Sequence, residues 1–199
     1  TIDSLRGSDG ALDASILRSS MESLSKGFSS AISNSTATRQ MQIQQLRALS
    51  TAVGNSIPKF TVNSTFRSSL LLSTTKAMTE GLKDGPADGS MPISVSEVCA
   101  GSLDGIVTES VSRADLETYL VAVRDGCDAG ISSLESSTAN LPSDFKNDVQ
   151  KRVANSLFKA TETNLKILNM SLNRSSLLTD VCESPLVQKV VLSDTQFSA

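Results

Sequence analysis

The three cysteines, Cys99, Cys127 and Cys182, have the most reactive side chains in this chain of 199 residues, and their spacing limits what they can do. No two of them form a CxxC pair, and the chain has no histidine, so a tetrahedral zinc site lacks both of its usual ligand spacings. That leaves two thiol chemistries: three buried thiols acting as small apolar side chains, or one disulfide with a thiol left over. The missing histidine also removes the side chain that most often acts as general base near neutral pH. Serine fills roughly one position in six, yet no serine lies in a G-x-S-x-G context. Ser25-Lys26 and Thr75-Lys76 place a hydroxyl beside an amine, but such adjacency is expected by chance in so serine-rich a chain. Asp84 and Asp88 lie in a glycine-rich stretch without the alternating ligand run and terminal glutamate of a calcium loop. Asp104, Glu109, Asp115, Glu117, Asp125 and Asp128 read as a solvated helix face and helix-end charges. The expectation is a chain with no catalytic residue, no cofactor and no metal, and therefore not an enzyme.

Two helices must position Cys99 and Cys127. Val95, Val98, Cys99, Leu103 and Ile106 repeat at helical spacing, as do Leu116, Leu120, Val123, Cys127, Ile131 and Leu134. Between them Ser112 is a helix N-cap with Asp115 three residues on, a capping-box variant. The two cysteines lie at nearly equal distances from the turn at 112–114, so an antiparallel hairpin brings them face to face. Helix axes usually lie about 8–10 Å apart, whereas a disulfide needs Cα atoms within about 7 Å. Small neighbours allow that approach: Ala100, Gly101, Gly105, Gly126, Ala129 and Gly130. A Cys99–Cys127 bridge is therefore expected, with Cys182 free or bonded to another chain. Cys182, near the turn before Pro185, could also reach either partner, so the connectivity stays open.

The rest of the chain shows the same helical period. Leu12, Ile16, Met21, Leu24, Phe28 and Ile32 form one stripe, and Ile43, Leu46, Leu49, Val53 and Ile57 a second after a break at Asn34-Ser35-Thr36. Pro58 stops that helix, and Asn63-Ser64-Thr65 caps a third that runs through Leu70 and Met78 to about Leu82. The stretch from Lys83 to Ser90 is the strongest loop signal and a candidate subdomain boundary, over residues 83–91. After a turn at Asn140-Leu141-Pro142-Ser143-Asp144 the longest helix carries Phe145, Val149, Val153, Leu157, Leu165 and Leu168. A short element from Leu186 to Leu192 reads as helix, because nothing else offers it a pairing strand. The expected fold is all-α, one domain over 1–199, a bundle of about six helices with short connections.

A net charge of -3 gives no electrostatic footprint for nucleic acid or an anionic membrane surface. The longest apolar runs, such as Leu70-Leu71-Leu72, are far too short to span a bilayer. No signal peptide is visible and the first residue is Thr1, which reads as a mature chain or an excised fragment. Asn34, Asn63, Asn169 and Asn173 each open an N-x-Ser/Thr sequon, the acceptor for glycosylation in a secreted protein. Serine and threonine stand at many positions where soluble bundles carry lysine and glutamate, which implies a nearly neutral hydroxyl surface. Such a surface lowers repulsion between molecules and suits storage at high concentration or self-association.

Two stretches resemble a known family. Asn63-Ser64-Thr65-Phe66-Arg67-Ser68-Ser69-Leu70-Leu71 is similar to the helix opening in repeat domains of spider silk proteins (spidroins), especially the aciniform and tubuliform types. Leu116-Glu117-Thr118-Tyr119-Leu120-Val121-Ala122-Val123 resembles the helix of those repeats in which one tyrosine precedes a small-residue, apolar run. The resemblance implies a globular helical unit that is tandemly repeated, stored in solution and converted to fibre. No internal repeat occurs within the 199 residues, so the chain would be one unit. The expected function is a secreted, extracellular structural protein that assembles with copies of itself or other silk proteins. The rival reading is a secreted helical protein that binds an apolar ligand or a protein partner.

Overall fold

A computed structural model describes residues 13–107, 112–137 and 141–167, and among these it is all-helical. The six helices are α1 (Ala14–Ser33), α2 (Arg39–Ser56), α3 (Ser64–Gly81), α4 (Met91–Val107), α5 (Arg113–Ser137) and α6 (Phe145–Ile167). Short polar side chains set the starts. Asp13 accepts from the backbone of Ser15 and Ile16, Asn63 from Phe66, and Ser112 from Asp115. Each satisfies a backbone N–H that the first turn leaves without a partner. The cap of α2 is Thr38, accepting from Met41, rather than a residue of the Asn34-Ser35-Thr36 break. Pro58 ends α2 by tightening the chain into a single 3₁₀ turn, Ile57–Lys59. A second 3₁₀ turn, Leu82–Asp84, follows α3.

Each helix packs most extensively on the helix two along the chain: α1 on α3, α2 on α4, α3 on α5, and α4 on α6. Matching positions show that the first three of these pairs run parallel. Arg18 meets Ser69 and Ser29 meets Met78 across α1 and α3, Gly101 meets Ser50 and Gly105 meets Asn55 across α4 and α2, and Gly126 meets Leu72 and Gly130 meets Thr79 across α5 and α3. The result is two layers, α1–α3–α5 and α2–α4–α6, with α1 at one end of the first layer and α5 at the other.

The contacts within the layers are made by small residues four apart. Gly101 and Gly105 of α4 press on Arg47, Ser50, Thr51 and Asn55 of α2, and a Cβ at Gly54 would stand 2.5 Å from the Ser102 carbonyl. Gly126 and Gly130 of α5 press likewise on Leu72, Thr75 and Thr79 of α3. Ser25, Ser29 and Ser33 of α1 are buried, and Ser29 Oγ donates to the Met78 carbonyl at 2.6 Å. Such i, i+4 rows are the ridges along which helices interlock. When the row is built of glycine and serine, the backbones themselves come into contact.

The apolar core lies between the layers and draws on all six helices, with Leu17, Leu46, Leu70, Met78, Val95, Leu103, Leu116, Val123, Ile131, Phe145 and Val153 among its members. Burying each of these larger aliphatic side chains contributes about 1.5–3 kcal/mol. The core continues across the loop that follows Leu82, since α2 and α4 on either side of it pack closely.

Candidate functional site

Cys99 and Cys127 are placed as a disulfide pair, with Cα atoms 6.0 Å apart. Both are fully buried. The bridge staples α4 to α5, one helix from each layer. The equidistance argument locates this pair, but the glycines act elsewhere. Gly101 and Gly105 face α2, and Gly126 and Gly130 face α3, rather than the helix across the bridge. Close packing is the reason for these glycines, and the helices they admit are neighbours within a layer. Cys182 lies outside the described residues, as do Asn169, Asn173 and Glu109.

The two described sequons are both exposed. Asn34 closes α1, its side-chain amide donating to the Ser30 carbonyl at 3.2 Å. Asn63 caps α3 through its amide oxygen, 2.8 Å from the Phe66 N–H, so the cap leaves the amide nitrogen for other chemistry. Beside Asn34 an open pocket of about 350 Å³ is lined by Ser33, Ser35, Ala37, Arg39, Gln42 and Pro86. Its polar groups are engaged with one another: Arg39 donates to Gln42 Oε1, and Gln42 Nε2 donates to the Ser35 carbonyl at 2.8 Å.

The charged residues are mostly paired. Arg47 of α2 bridges Glu97 and Asp104 of α4, and these partners raise the guanidinium pKa above its ordinary value. Asp125 pairs with Arg124, and Asp115 belongs to the α5 cap. Among the described residues no group of three or more His, Cys, Asp or Glu side chains is arranged to hold a metal ion. Ser25 and Thr75, each next to a lysine in sequence, are buried in the contacts within a layer. Tyr119 is fully buried beneath Arg67, whose guanidinium lies 6.0 Å from the ring centre. Burial pushes its phenol pKa up, and the hydroxyl has no hydrogen-bond partner among the described residues.

The feature that sequence reasoning missed is on α1. The apolar stripe of α1 faces the core only in part, through Met21 and Ile32 together with Leu17. Ile16, Leu24 and Phe28 are 45%, 53% and 54% exposed, while the serines at 25, 29 and 33 take the inner side. The spacing of those serines, four and four, was the available signal. It matches Thr75–Thr79, Gly101–Gly105 and Gly126–Gly130.

No protein-family model, curated protein or solved structure matches the chain. No helix among the described residues is long and apolar enough to cross a membrane.

Proposed function

We propose that this chain is a secreted structural protein that works by assembling with copies of itself, as a silk-like matrix or fibre component, and is not an enzyme. The observation that carries this reading is the outward apolar face of α1, at the end of a layer of the described helices. Arrays of stacked helices need a polar terminal face to stay soluble alone. Ile16, Leu24 and Phe28 supply the opposite. The buried Cys99–Cys127 bridge is compatible with an oxidising, extracellular setting. It would keep the folded unit intact during concentrated storage. The likeness of residues 63–71 and 116–123 to silk repeats points the same way.

The test is light scattering on the intact protein over a concentration series, followed by acidification and shear. The expected result is reversible growth in mass with concentration and conversion to insoluble material under shear. A monodisperse solution at millimolar protein that takes up an apolar ligand would select the rival reading of a helical binding protein.

A further inference from the structure

The link between α1 and α2, residues 34–38, brings an acceptor for modification beside a ready-made seat. Asn34, Ser35 and Thr36 spell an N-x-Thr acceptor, and all three residues are exposed. The open pocket of about 350 Å³ beside Asn34 lies between this link and the loop after Leu82, walled by Ser33, Ser35, Ala37, Arg39, Gln42 and Pro86. Its volume falls in the range of small-ligand sites. Ala37 and Pro86 provide carbon surface, and the serines and Arg39 provide hydrogen-bonding groups. A sugar ring, with its carbon faces and its rim of hydroxyls, needs that mixture.

We infer that Asn34 carries an N-linked oligosaccharide whose first sugar rests in this pocket. The inference rests on the secreted reading of the chain, because the transfer takes place in the secretory pathway. In that transfer Asn34 Nδ2 attacks the anomeric carbon of a lipid-linked oligosaccharyl pyrophosphate. A C–N bond forms and the bond from that carbon to the pyrophosphate oxygen breaks. The lipid pyrophosphate leaves, and the amide gives up one proton. The product is a secondary amide with a single N–H. A single N–H is what the fold uses, in the bond from Asn34 Nδ2 to the Ser30 carbonyl at 3.2 Å. The sugar takes the place of the other amide hydrogen, on an exposed residue where a bulky, hydrated group displaces no packed side chain.

The second described acceptor gives the contrast. Asn63 caps α3 with its Oδ1 2.8 Å from the Phe66 N–H, and Ser64 and Thr65 already belong to the first turn of that helix. A transferase must hold the asparagine and the hydroxyl two residues on in a non-helical conformation. Folding of α3 therefore competes with modification at Asn63. Residues 34–36 lie outside both helices, and the folded link leaves them open to the same grip.

The test secretes the full chain from insect cells behind a cleavable signal peptide and maps its peptides after enzymatic release of the sugar in heavy-oxygen water. Trypsin separates the two acceptors, with Asn34 in residues 27–39 and Asn63 in residues 60–67. The expected result is label at Asn34 in most chains and at Asn63 in a smaller fraction. Thr36→Ala should abolish the label at Asn34, and Thr36→Ser should keep it. An unlabelled 27–39 peptide from the secreted chain overturns the site, and higher occupancy at Asn63 overturns the selection by fold. Seating in the pocket is read from native-state trypsin cleavage after Lys83, which a sugar packed on Pro86 should slow several-fold relative to the Thr36→Ala chain. Equal cleavage rates would show a sugar that hangs clear of the pocket and would overturn its seating. Protein from the natural source is mapped in the same way. Bare Asn34 there, beside a labelled chain from insect cells, overturns the secreted reading and the native modification with it, whereas a bare chain from insect cells overturns the site alone.

Discussion

Two rows of small residues in this molecule have almost the same spelling and opposite surroundings. Gly126 and Gly130 of α5 are sealed against α3, where an added methyl at Gly126 would stand 2.5 Å from the Leu72 carbonyl. Ser19, Ser23, Gly27 and Ala31 of α1 have the same four-residue spacing and face outward, mixed with exposed Leu24 and Phe28. Small residues at i, i+4 therefore mark where a helix is approached closely. Which partner approaches depends on where the helix sits in the array. On the side of a helix that faces into its layer the partner is another helix of the chain, and on the outer side of α1 none of the described helices provides one.

The comparison can be broken at the sealed end first. Replacing both Cys99 and Cys127 with alanine removes a bridge across a sequence separation of 28 residues. The loop-entropy model gives a loss of about 3–4 kcal/mol for that span, read as a fall of about 10 °C in the melting temperature. The effect should be equal in dilute and concentrated samples, because the staple lies inside one unit. A fall that grew with concentration would mean that the bridge supports association instead.

A smaller effect separates the two faces of α1. Ser29→Ala removes the buried donor to the Met78 carbonyl and should cost about 1 kcal/mol in chemical denaturation. Ser23→Ala, on the outer face, should change dilute stability by less than about 0.5 kcal/mol. Equal losses at both positions would show that both serines are packed within the chain.

The difference between these faces also explains what could be read from the sequence. In α4 and α5 every residue of the expected stripes is buried, from Val95 to Ile106 and from Leu116 to Leu134. There the apolar stripe and the inner face coincide, because each helix has neighbours on most of its sides. The Cys99–Cys127 pairing was legible in the hairpin, with Cys182 left as an alternative partner, since the Ser112 cap fixes the turn from which both residues are counted. In α1 the same periodicity groups Ile16, Leu24 and Phe28 in one stripe with Met21 and Ile32, but it does not say which of them reach the core. Close packing against α3 decides that, because small residues such as serine let the two backbones approach. The glycines beside the cysteines were legible as signs of tight contact, yet their partners, α2 and α3, depend on an i-to-i+2 packing order that no local pattern encodes. Tyr119 and Arg67 meet for the same reason, being 52 positions apart on α5 and α3.

The most direct test of the account compares Gly27→Ala with Gly126→Ala by denaturant unfolding in dilute solution, where only the isolated unit contributes. Alanine at Gly27 should stabilise by up to about 1 kcal/mol, since it gains helix propensity and meets nothing. Alanine at Gly126 should destabilise by about 1–3 kcal/mol as the α3–α5 contact is forced apart. Opposite signs would establish that one row is sealed within the chain and the other left open for a partner. Destabilisation at both positions would contradict the account, because it would mean that Gly27 already packs against its own chain.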